Sequence, residues 1–126
     1  MQFGANTLGH LLFIRKLYHR LVSSTTSECP TRVIWTSSSL HSYCSSPFNY
    51  EALRDTPARS QKFITPQTLY ESSKFAIVQL ALHMSRTMFK DDGVVMMIVD
   101  PCVQAEGSSS NNSAMKLVGY VPTLTH

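Results

Sequence analysis

Residues 67–99 read QTLYESSKFAIVQLALHMSRTMFKDDGVVMMIV, and the change of period inside this stretch decides the fold. Leu69, Ser73, Ala76, Ile77, Leu80, Ala81, Met84 and Met88 recur at helical spacing, which predicts a helix from Gln67 to about Lys90. Phe75, Val78, Leu82 and Phe89 form a second apolar stripe, so this helix is expected to be covered on two sides. Asp91-Asp92-Gly93 ends it. Val94–Val99 is then an unbroken apolar run, the pattern of a strand buried on both faces of a parallel sheet.

Upstream, Arg32–Thr36 (RVIWT) is a short β-branched and aromatic run, which predicts a buried strand ending at Ser37-Ser38-Ser39. From Asn6 to about Ser23, Leu8, Leu11, Leu12, Leu17, Tyr18, Leu21 and Val22 recur at helical spacing, and Arg15, Lys16, His19 and Arg20 lie between them. That is an amphipathic helix whose basic residues read as a solvated face, not as a nucleic-acid site. The order is helix, strand, helix, strand, and the strand–helix–strand part implies a right-handed parallel crossover. A long polar stretch with three prolines, roughly 41–66, separates the first strand from the second helix, and loops of that length are functional or mobile. The Gly/Ser/Asn-rich run from Gln104 to Ser113 predicts a disordered tail over 104–126.

With 126 residues there is room for one domain, taken here as 1–103. Apolar residues make up 43% and charged residues 15%, the balance of a globular chain, and the net charge of +3 is too weak and scattered for a nucleic-acid binder. No stretch has the roughly 20 apolar residues of a transmembrane helix, and no signal peptide is read at the N-terminus. Cys29, Cys44 and Cys102 are odd in number and share no metal-ligand spacing, which suits a reduced, cytoplasmic chain with no metal.

The chemistry-bearing candidates are Tyr70 and Lys74, a YxxxK pair. Positions i and i+4 of a helix lie one above the other, so the ammonium sits near the phenol and stabilises its ionised form. A tyrosine acting as general acid and base needs that help. A chance YxxxK occurs in roughly a quarter of chains of such composition, so a surface pair is the competing reading. The serine cluster at the end of the first strand adds weight, because ligands bind at the carboxyl edge of open α/β sheets. A hydroxyl there can hydrogen-bond a carbonyl oxygen. Serines are also common turn material, and only the combination is specific.

Taken together, these segments resemble the catalytic part of the short-chain dehydrogenase/reductase family. Asn6-Thr7-Leu8-Gly9 is similar to the family's NxxG helix segment, Arg32–Ser38 to the strand carrying its active-site serine, and Tyr70–Lys74 to its YxxSK motif. The likeness runs from about Gln2 to Val103. GHLLFIRKL (9–17), RVIWTSSS (32–39) and YESSKFAIVQLAL (70–82) are most similar to the 3-keto-steroid reductase branch (the 17β-hydroxysteroid dehydrogenase type 7 group), with retinol dehydrogenase-like members next.

The resemblance implies an α/β fold, a partial Rossmann-like doubly wound parallel sheet. It also implies an oxidoreductase using NADP(H) or NAD(H) on a steroid or other lipophilic carbonyl or alcohol. Its catalytic set would be Asn6, Ser38, Tyr70 and Lys74, with Ser37 and Ser39 as alternatives to Ser38 by a one-residue shift. Tyr70 would donate the proton, Lys74 would tune it and hold the nicotinamide ribose, Ser38 would position the carbonyl, and Asn6 would anchor a water. Tyr70, Lys74, Pro101 and Cys102 would contact the cofactor. The 67–90 helix would pair with a second copy or a related chain, and the steroid branch implies association with the endoplasmic reticulum.

Two departures stand out. The family's TGxxxGxG turn, whose backbone N–H groups and helix N-terminus receive the pyrophosphate, has no counterpart here. Gly4, Gly9, Gly93, Gly107 and Gly119 are the only glycines, and no two lie in such a motif. The family's Pro-Gly after the last strand reads Pro101-Cys102. The expectation is therefore a helix–strand–helix–strand remnant without the N-terminal dinucleotide-binding strands. Its two strands would have a raw edge and the second would be poorly covered. Such a chain would be an inactive fragment of a reductase, or else a non-catalytic partner of a full-length relative.

Overall fold

The computed structural model describes residues 2–44, 53, 65–101 and 116–121. A π-helical turn, Gly4–Leu8, runs into helix α1, Gly9–Ser23. Strand β1 (Arg32–Thr36), a 3-10 turn (Ser39–Tyr43), helix α2 (Pro66–Arg86) and strands β2 (Val95–Asp100) and β3 (Lys116–Val121) follow. The sheet order is β1-β2-β3, with β1 and β2 parallel and Arg32 level with Val95. This is the α/β, partial Rossmann-like arrangement that the family resemblance implied, with the parallel crossover expected from the periodicity.

Ile14 is the buried residue of α1, while Leu8 and Leu12 are more than half exposed and Arg15, Lys16, His19 and Arg20 face solvent. Helix α2 starts where local chemistry dictates. Thr65 caps it by accepting the Thr68 N–H at 3.1 Å, and Pro66 occupies the first turn, where its missing N–H costs nothing. Leu69, Ser73, Ile77, Ala81 and Met84 are buried along one face. Of these, Ile77, Ala81 and Met84 pack with Ile14, Val33, Trp35, Met96 and Ile98 to form the core.

Several expectations are corrected. The second helix ends at Arg86, not near Lys90, because Phe89 turns into the core, where it is fully buried and its ring lies 5.2 Å from that of Tyr18. The Ser85 and Thr87 hydroxyls bond back to the Leu82 and His83 carbonyls in that final turn, a competitor to further helix. Strand β1 is buried on one face only. Val33 and Trp35 point inward, and Ile34 is 58% exposed.

Strand β2, by contrast, is well covered. Val95, Met96, Ile98, Val99 and Asp100 are all buried, and β3 pairs antiparallel along its other edge. Among the described residues the open edges of the sheet therefore belong to β1 and β3, and β2 is paired on both sides. Finally, residues 116–121 form a strand inside the stretch read as a disordered tail, and 39–43 form a helical turn where a loop was read to begin. Residues 102–115 and most of 45–64 lie outside the described residues.

Candidate active site

Parallel pairing brings the carboxyl ends of β1 and β2 to one edge of the sheet, where the Ser37 N–H donates to the Val99 carbonyl at 2.8 Å. The first two turns of α2 lie over the end of β1. Lys74 Nζ donates to the Thr36 carbonyl at 2.9 Å and lies 5.5 Å from the centre of the Tyr70 ring, within cation–π range. Burial lowers the Lys74 pKa below the ordinary lysine value, because desolvation disfavours the ammonium.

The three serines after β1 have different environments. Ser37 is buried, and its hydroxyl donates to the Lys74 carbonyl at 3.2 Å. Ser38 caps the 3-10 turn: its Oγ accepts the Leu40 N–H at 3.3 Å, and its carbonyl accepts the His41 N–H at 3.0 Å. Among the described residues the Ser38 O–H proton has no protein acceptor, so it can be offered to a ligand oxygen. Ser39 is exposed.

The π-turn supplies Asn6. Its Nδ2 donates to Ser73 Oγ at 3.2 Å, and Ser73 Oγ donates in turn to the Tyr70 carbonyl at 2.7 Å. Thr7, 1% exposed, donates its hydroxyl to the Ser73 carbonyl at 3.2 Å. Tyr70 and Lys74 are thus brought together, Asn6 is tied to the same helix, and Ser38 adjoins the serine bonded to Lys74. Pro101 is exposed just past β2, and Cys102 lies outside the described residues.

Sequence reasoning assigned nothing to Thr7 or Ser73 and treated Ser37 only as a register alternative. The available signal was that Thr7 and Ser73 are polar residues at positions facing the core. Chemically, the arrangement sets an ammonium over the face of a phenol, with a run of serines at the adjoining strand end.

No family model and no solved structure matches the chain. Two short-chain dehydrogenases/reductases of Armillaria gallica are 37% and 35% identical over 86 residues, 68% of this chain and 26% of each relative. The short-chain dehydrogenase/reductase pkfC of Emericella nidulans is 31% identical over 98% of this chain and 41% of its own length. The chain thus spans between about a quarter and two fifths of the curated relatives it matches. Those relatives share one class, and the similarity, with the parallel β1–α2–β2 unit, supports the short-chain dehydrogenase/reductase family for this chain.

Proposed function

We propose that the chain carries the catalytic element of an NAD(P)H-dependent oxidoreductase of the short-chain type that reduces a keto group of a steroid or another lipophilic carbonyl. The observation that carries this reading is the Lys74 ammonium held over the Tyr70 ring while anchored to the Thr36 carbonyl. Tyr70 holds the proton destined for the carbonyl oxygen, and the Lys74 charge stabilises the phenolate left behind. The Ser38 hydroxyl donates to the same oxygen and fixes its position. Asn6 holds Ser73, and through it the turn bearing both Tyr70 and Lys74.

The residues present fit one end of a dinucleotide. Lys74, partly buried at the sheet edge, suits the nicotinamide ribose hydroxyls, and Pro101 lies at the same edge. A nicotinamide bound there supplies hydride. No glycine-rich turn is present for the pyrophosphate. The 126-residue chain alone is therefore inactive, and turnover requires a second segment or chain that holds the cofactor.

The test has two arms. Purified chain, given NADPH or NADH and a 3-ketosteroid, shows no turnover. The same chain joined to the part of the Emericella nidulans relative that the match leaves uncovered reduces a carbonyl, and Tyr70→Phe abolishes this. Inactivity of the folded fusion toward ketosteroids, retinoids and simple lipophilic ketones alike overturns the reading.

A second reading is a non-catalytic fragment that pairs with a full-length relative, and the edge position of β1, with Ile34 58% and Phe13 63% exposed beside it, favours this. It predicts a heterocomplex on sizing whose formation is unaffected by Tyr70→Phe. A stable folded monomer in the presence of the relative removes it.

A further inference from the structure

Two successive carbonyls of α2, those of Ser73 and Lys74, each accept a hydroxyl from outside the helix. Thr7 donates to the first and Ser37 to the second, both at 3.2 Å. Each donor is only 1% exposed. A helical carbonyl has two lone pairs, and the ladder bond four residues on uses one, so each hydroxyl takes the other without breaking the helix. The donors belong to different elements, Thr7 to the π-turn and Ser37 to the end of β1. The helix is gripped between them at the residues that set the direction of Lys74.

We propose that Thr7 and Ser37 are positioning residues that fix the rotation of α2, so that Lys74 reaches the Thr36 carbonyl and stands over Tyr70. Neither touches the reacting groups; both act through the backbone of residues 73 and 74. The π-turn makes the grip possible. Its wider turn, closed by the Gly9 N–H on the Gly4 carbonyl, lets consecutive side chains serve one residue, Asn6 the Ser73 hydroxyl and Thr7 the Ser73 carbonyl. Loss of either hydroxyl leaves a buried carbonyl contact unmade and frees the helix to turn about its axis. Lys74 then moves off Thr36 and into water. Placement errors of about 1 Å in such sites cost on the order of 100-fold in rate.

The inference concerns how the site proposed above is held, and its readout does not require catalysis. Burial places the Lys74 amine below the ordinary lysine range, so its titration reports where the amine sits. The other ionisable groups on α2's first two turns and on the elements packed against them are Tyr70, Glu71, Arg32, His41, Tyr43 and Asp100. None of them is altered by the variants.

The Lys74 signal of the full 126-residue chain, isotopically labelled at lysine and assigned by Lys74→Arg, is followed against pH. In the unsubstituted chain it titrates below the ordinary lysine value. Thr7→Val and Ser37→Ala each shift it upward toward that value, and Thr7→Ser, which keeps the hydroxyl, restores it. A folded Thr7→Val chain that titrates as the unsubstituted one does overturns the proposal. If Thr7→Val does not fold, an unshifted titration in folded Ser37→Ala overturns it equally. A shifted titration together with an inactive fusion protein sinks the catalytic reading and leaves the clamp standing.

Discussion

Lys74, proposed above to support Tyr70, also bears on the stability of the chain. Its partial burial favours the neutral amine, so the folded state binds this proton less tightly than the unfolded chain, where the ordinary value of 10.5 applies. Between the lowered value and 10.5 the unfolded chain binds more protons, and stability rises with pH through that window. Denaturant titrations at a series of alkaline pH values check this, and Lys74→Met flattens the dependence. Tyr18 acts in the opposite sense. Its hydroxyl donates to Asp92 at 2.7 Å, a bond that raises the phenol pKa above 10.0, so its contribution is present below 10.0 and is lost as pH rises through the folded value. Tyr18→Phe removes the fall at the alkaline end. The Tyr70–Lys74 pair was legible because helical spacing alone sets i and i+4 together. The role of Ser37 was not, because a run of three serines gives no hint which hydroxyl turns inward.

At the scale of elements, both strands of the parallel pair and the start of α2 follow from β-branched runs and a Thr-Pro cap that act locally. β1 occupies the stretch read for it, and β2 is displaced by one residue from its reading. The end of α2 was misread because a helical apolar pattern continues to Phe89, and only the core decides that Phe89 turns away. β3 escaped notice because Gly119 interrupts its run, and its pairing with β2, with an irregularity at Ile98/Val99, is a long-range event. The turn between α2 and β2 depends on Gly93, whose φ of 68° suits glycine and whose missing Cβ would lie 3.0 Å from Thr25 Cγ2. Gly93→Ala is expected to destabilise the chain by about 1–2 kcal/mol from the left-handed backbone alone, read as a lower denaturation midpoint.

For the molecule as a whole, one small core holds two helices against one face of the sheet, with Ile77 and Ala81 fully buried at its centre. Ile77→Ala removes about 2–5 kcal/mol, a large part of the stability of so small a domain, and the expected result is a chain largely unfolded at room temperature by circular dichroism. No helix among the described residues is long and apolar enough to cross a membrane. The likeness to short-chain dehydrogenases/reductases was legible because the motifs that carry it are short and fall on elements that form locally. The proposed cofactor has no glycine-rich turn in the sequence to receive its pyrophosphate. Whether the site is competent turns on supplying that part. The most direct measurement is NADPH-dependent reduction of a 3-ketosteroid by the chain fused to the uncovered part of its Emericella nidulans relative, with and without Tyr70→Phe. The account predicts reduction that falls by about 100-fold or more in the variant. Equal rates in the two fusions would contradict it.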